Sequence, residues 1–87
     1  MDGYEVLTPE RKKVGRVVGK QGDYVIIEHG HLRKTRSPLP RQFVRADDAA
    51  RAAIVTIPPG LLRHAPHLAA DGTFDEAATA AYYGVDT

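Results

Sequence analysis

The sequence predicts a mainly β fold: a small, partly open antiparallel β-barrel with a short C-terminal α-helix. Three observations carry this. Val14-Gly15-Arg16-Val17-Val18 and Tyr24-Val25-Ile26-Ile27 are rich in β-branched and aromatic residues. They are separated by Gly19-Lys20-Gln21-Gly22-Asp23, whose two glycines accept positive φ, so the pair reads as a hairpin with a longer loop. Ile54-Val55-Thr56-Ile57 is another short β-branched run, stopped by Pro58-Pro59-Gly60. Thr73-Phe74-Asp75-Glu76 has the spacing of a capping box ahead of an alanine-rich stripe.

Taken in order, Tyr4 to Leu7 is a short first strand closed by Thr8-Pro9, and Glu10 to Lys13 is a charged connection. The second strand runs from about Val14 to Val18, and Gly15 within it signals a bend or a close backbone approach. In the third strand Tyr24 and Ile26 point one way while Val25 and Ile27 point the other, so both faces are apolar. A barrel interior covers only one of them, and the other face calls for a helix, a loop or a second subunit.

Glu28-His29-Gly30-His31 reads as the next turn. Leu32-Arg33-Lys34-Thr35-Arg36 follows as a fourth strand of poor alternation, suited to a charged sheet edge, and Ser37-Pro38-Leu39-Pro40 ends it. Leu39, Phe43 and Val44 are spaced to anchor one turn on the core before Arg45-Ala46-Asp47-Asp48 turns outward. Ala49 to Ala53 is ambiguous between a helical turn and a loop, and Ile54 to Ile57 is the last strand. Pro66 opposes a long helix after Leu61-Leu62. A helix is expected over about 74–83, with Thr73 as N-cap and Gly84 ending it. The organisation is thus a β domain over 1–60 and an extension over 61–87 that carries the helix.

Composition narrows the function. At 87 residues the chain is one domain with a modest core, 43% hydrophobic and 26% charged. No run approaches the ~20 apolar residues of a membrane span. The first residues lack a basic n-region and an apolar h-region, so a cytoplasmic location is the expectation. The absence of cysteine excludes disulfides, thiolate nucleophiles and cysteine-ligated zinc. The net charge of +1 conceals an asymmetry: residues 1–45 carry +5 and residues 46–87 carry −4. That pattern suits either a basic surface for an acidic partner or attraction between the halves, within one fold or between subunits.

Catalytic constellations are sparse. His29 and His31 share a strand face, yet spacing suggests no third ligand, and Gly30 places them at a turn tip as solvated histidines. His64 and His67 are separated by Pro66, which opposes a shared helical face. The only serine, Ser37, precedes Pro38 and has no Gly-x-Ser-x-Gly elbow. Asp47 and Asp48 read as solvated residues at a turn. Gly15 to Gly22 lacks the spacing of a phosphate-binding loop. No cofactor is implied. The feature nearest to a binding patch is Arg33-Lys34-x-Arg36 with Arg41 and Arg45 nearby, although this run contains no aromatic residue for base stacking.

Gly3-Tyr4-Glu5-Val6, Val14-Gly15-Arg16-Val17, Asp23-Tyr24-Val25, Leu39-Pro40-x-x-x-Val44 and Ile54-Val55-Thr56-Ile57 together resemble the PRC-barrel superfamily, over about residues 3 to 57. The resemblance is to its small stand-alone bacterial members of unknown function, and it implies an assembly module rather than a catalyst. The superfamily also includes a domain of the photosynthetic reaction-centre H subunit and a domain of a ribosome-maturation factor. A membrane helix like the first, and the additional N-terminal barrel of the second, are not expected here.

The sequence therefore leads to a non-enzymatic protein-interaction module, expected as a homodimer because the third strand needs cover. The alternative is an RNA- or ribosome-associated factor that uses Arg33, Lys34, Arg36 and Arg41 on phosphates. A small metal-dependent or hydrolytic enzyme ranks last. The candidate interaction surface combines those four cations with Tyr24 and Ile26.

Overall fold

The computed structural model describes residues 1–85. In chain order the strands are β1 (Glu5–Leu7), β2 (Lys13–Gln21), β3 (Tyr24–His29), β4 (Thr35–Pro40), β5 (Val44–Asp47) and β6 (Ala52–Val55), followed by helices α1 (Pro59–Arg63) and α2 (Glu76–Tyr83). The strands form one sheet in the order β4-β3-β2-β1-β6-β5, curled into a half-barrel. The expected mainly β class, open barrel and C-terminal helix are all present. Neighbouring strands are antiparallel except β1 and β6, which pair in parallel through Val6 and Ala53, so the sheet is mixed.

The opening hairpin is longer and tighter than expected. A bulge places Val17 opposite Ile27 and Gly19 opposite Ile26, so β2 absorbs Val18 as an extra residue and continues to Gln21. The chain then reverses over Gly22 and Asp23, with Gly22 at φ 57°. Gly19 is therefore inside a strand rather than opening a five-residue loop.

β4 differs most from expectation. Leu32, expected in a strand, lies in the connection and is 95% exposed. Ser37-Pro38-Leu39-Pro40, expected to end the strand, forms most of it. Hydrogen bonding explains the prolines. Arg41 N–H donates to Asp23 O in the β3–β4 register, so odd-numbered residues of β4 face β3. Arg36 points the other way and accepts from Leu68 N–H through its carbonyl. Pro38 and Pro40 share the parity of Arg36, where a missing N–H breaks no ladder bond.

A 3-10 turn at Arg41–Phe43 then leads straight into β5, which corrects the outward turn expected at Arg45 to Asp48. β6 begins at Ala52 and stops at Val55, and all four of its residues are buried. Alanine is a poor strand former, so the pairing of Ala52 with Glu5 and Asp47 comes from neighbouring strands.

Val6, Val17, Val25, Ile27, Leu39 and Val55 fill the concave side, joined by Leu62, Ala65 and Tyr83 from the extension. The extension over 61–87, whose last two residues lie outside the described ones, thus shares the core of the β domain. Pro59 occupies the first turn of α1, where its absent N–H is harmless. The N-cap of α2 is Asp75, not Thr73: Asp75 Oδ1 accepts from Ala78 N–H at 2.9 Å. Thr73 Oγ1 instead donates to Asp71 Oδ1 at 2.7 Å. At the other end Gly84 adopts φ 70° and Val85 N–H returns to Ala80 O, ending the helix at the expected residue.

Candidate functional site

The structure separates the expected interaction residues. Tyr24 and Ile26 are 8% and 3% exposed within a single chain. Phe74 packs edge-on against Tyr24 with ring centroids 5.1 Å apart, and the Tyr24 hydroxyl reaches Glu76 O at 3.5 Å. The start of the helical segment is thus the cover that the outer face required, and that face is not available to a partner. Arg33 and Lys34 lie in the β3–β4 connection, where Lys34 Nζ donates to Gly30 O. Arg36 lies across from Glu28, with Nε 3.4 Å from Oε2, while Arg16 lies 3.4 Å from the other carboxylate oxygen. Arg41 follows the far end of β4, about 17 Å from its start at ~3.3 Å per residue. It lines a groove of about 690 Å³ whose acids, Asp23 and Glu76, offset its charge. The four cations do not form one patch.

The expectation for His29 is overturned. It is the last residue of β3, 5% exposed, because a strand extended by two residues turns it inward beside Val25 and Ile27. Its Nε2 lies 2.8 Å from Ser37 Oγ on β4, and Ser37 Oγ lies 3.2 Å from His67 Nδ1. Ser37 is completely buried, and His67 stands at the surface. Thus each histidine pair expected from sequence is split, and one member of each meets through the serine. Burial, then the nearby His67 and Arg63, pushes the His29 pKa down. A serine between two imidazoles has the partners of an activated nucleophile, but a completely buried Oγ meets no substrate. Among the described residues, no group of three or more metal-ligating side chains converges.

His29 also lines two adjoining grooves, of about 590 and 360 Å³. They bring together Lys12, Lys13, Arg16, Lys34 and Arg63, with Glu28 as the only acid among the described residues of either lining. Arg16 and Arg36 hold Glu28, and Lys13 lies 4.0 Å from Glu5, so the cations of the two linings still outnumber the acids beside them and the field over this end of the sheet is positive. The Thr8 loop sets Lys12 and Lys13 in place: Arg11 N–H donates to Thr8 O, Thr8 N–H to Lys12 O, and Lys12 N–H to Thr8 Oγ1. Arg11 takes φ 70° to close this loop. Arg63 arrives from the last turn of α1. Of these cations sequence reasoning selected only Lys34. The run Arg11-Lys12-Lys13 was the available signal, but it reads as a solvated connection until the loop and α1 are placed. No protein-family model matches the chain, and no curated protein matches it.

Proposed function

We propose that the protein is a non-enzymatic, cytoplasmic interaction module, related to the PRC-barrel proteins, whose two cationic grooves dock an acidic segment of a partner protein. The single observation that carries this reading is the lining: five lysines and arginines with one acid that is already ion-paired. The RNA alternative has weaker support, because neither groove is lined by Phe or Tyr on which bases stack. The half-barrel and the motifs around Tyr4, Gly15 and Val44 support the PRC-barrel relationship.

Titration with an oligoglutamate peptide, followed by amide NMR, tests the reading. The expected result is saturable shifts around Arg16, Lys34 and Arg63, weakened by salt. Tighter binding of an RNA oligonucleotide at the same cations, with a steep salt slope, favours the alternative; binding of neither removes both. The reading includes a homodimer, supported by the opposite charges of the two halves. Light scattering at high micromolar concentration tests that part, and a strict monomer removes it.

A further inference from the structure

We propose that the smaller groove is an oxyanion site that takes a phosphate group, with the His29 Nδ1–H and the Thr8 hydroxyl as buried donors and Lys12, Lys13 and Arg63 as the surrounding charges. The proposal deepens the docking reading above, resting on the same cationic surface, by naming the group that this part of it receives.

Two buried side chains with unspent polar functions point to a ligand. Thr8 is 5% exposed; its Oγ1 accepts from Lys12 N–H, and its hydroxyl proton has no acceptor among the described residues. His29 spends Nε2 on Ser37, and its Nδ1 has no partner among the described residues. Tyr83 Oη is the sealed side-chain polar atom without a partner among them. His29 Nδ1 is therefore not sealed, and His29 lines both grooves, the smaller of which also holds Thr8. Three cations share that lining, with no carboxylate among the described residues that form it, and of the three Lys13 lies 4.0 Å from the Glu5 carboxylate outside the lining. A phosphate monoester, with a charge of about −1.5 to −2 and three strong acceptor oxygens, matches it better than a single carboxylate.

The serine link gives this site a signature. For neutral His29 to donate through Nδ1, its Nε2 must accept the Ser37 hydroxyl proton. Ser37 Oγ, its own proton donated to His29, then accepts from His67 Nδ1–H. Phosphate in the groove thus selects an Nδ1–H at both histidines, one buried and one exposed. A cluster of surface lysines has no means of doing this.

The experiment is a titration of the whole chain with inorganic phosphate, read by amide shifts and by the ring nitrogens of uniformly nitrogen-15-labelled protein. Saturable shifts at Thr8 and His29 are expected, with Nδ1 protonated in His29 and His67 at saturation. Lys12→Gln and Arg63→Gln, at exposed positions outside the core, each weaken phosphate binding about tenfold. Arg45→Gln on β5 leaves it unchanged. Shifts that never saturate, equal effects of all three variants, or a His29 whose Nδ1 stays unprotonated each overturn the proposal. If phosphate fails to saturate while the oligoglutamate peptide still binds, the phosphate site falls and the docking reading stands. If phosphate saturates while the peptide does not bind, only the docking reading falls.

Discussion

His29 Nε2 and Ser37 Oγ lie 2.8 Å apart across neighbouring strands, and the contact is completely enclosed on the serine side. It ties the end of β3 to β4, and through His67 it ties both to the chain that follows α1.

Acid weakens the fold through His29, whose burial, then the nearby His67 and Arg63, opposes its charged form. Because the folded-state pKa of His29 is held below its ordinary 6.5, the unfolded chain binds the proton first as pH falls. The contribution is fully present above pH 6.5 and is lost progressively between 6.5 and the lower folded value. Urea midpoints measured down this range fall with pH, and the fall is smaller in a His29→Gln variant. Ser37→Ala, which leaves His29 Nε2 without its partner, costs about 1–3 kcal/mol at neutral pH.

Two glycines of one strand respond oppositely to alanine. At Gly15 a Cβ collides with the Glu28 carbonyl oxygen, a backbone atom with no freedom to withdraw, whereas at Gly19 nothing stands within 4 Å. Gly15→Ala is expected to cost more than ~1 kcal/mol, as overpacking does. Gly19→Ala changes stability by about 0.5 kcal/mol or less. Thermal unfolding of the two variants side by side checks the contrast.

The Tyr83 ring lies in the core, 6.1 Å from the Phe43 ring, while its hydroxyl is buried without a partner among the described residues. Burial pushes its pKa strongly upward, and Tyr82 adds to this. Tyr83→Phe keeps the ring and removes an unsatisfied group, so it is neutral or stabilising by about 1 kcal/mol. Tyr83→Ala removes the ring and costs ~3 kcal/mol or more. Denaturant midpoints of the pair separate the two contributions.

Ahead of α2, Asp75 caps the helix and Thr73, two residues earlier, does not. Asp75→Ala removes the acceptor for Ala78 N–H and costs ~1 kcal/mol, with loss of amide protection at Ala78. Thr73→Ala loses only a contact to Asp71 and costs less. Hydrogen exchange at Ala78 and Thr79 is the measurement, and equal effects of the two variants overturn the assignment.

Much of this fold is legible in its residues. The β-branched runs at Val14 and Tyr24 and the glycine at 84 set two paired strands and a helix end through local preference alone. The two-sided apolar pattern of Tyr24 to Ile27 also announced a cover, which Phe74 supplies. β5 and the alanine start of β6 were not legible, because strand pairing across the sheet overrides weak propensity. The prolines of β4 misled for a related reason. Proline breaks a ladder only where its N–H faces a neighbour, and which residues face outward is a matter of register.

The site divides along the same line. By itself the sequence determined that the chain has no thiol, that its first half is basic, and that its only serine lacks a nucleophile elbow. The tertiary structure decided which charges and which polar groups act together. His29, Ser37 and His67 meet because β3 extends inward and the chain after α1 returns over β4, and Lys12, Lys13 and Arg63 surround one groove because a loop and a helix end converge there. Such convergence depends on contacts between residues far apart in the chain, and neither composition nor periodicity records those.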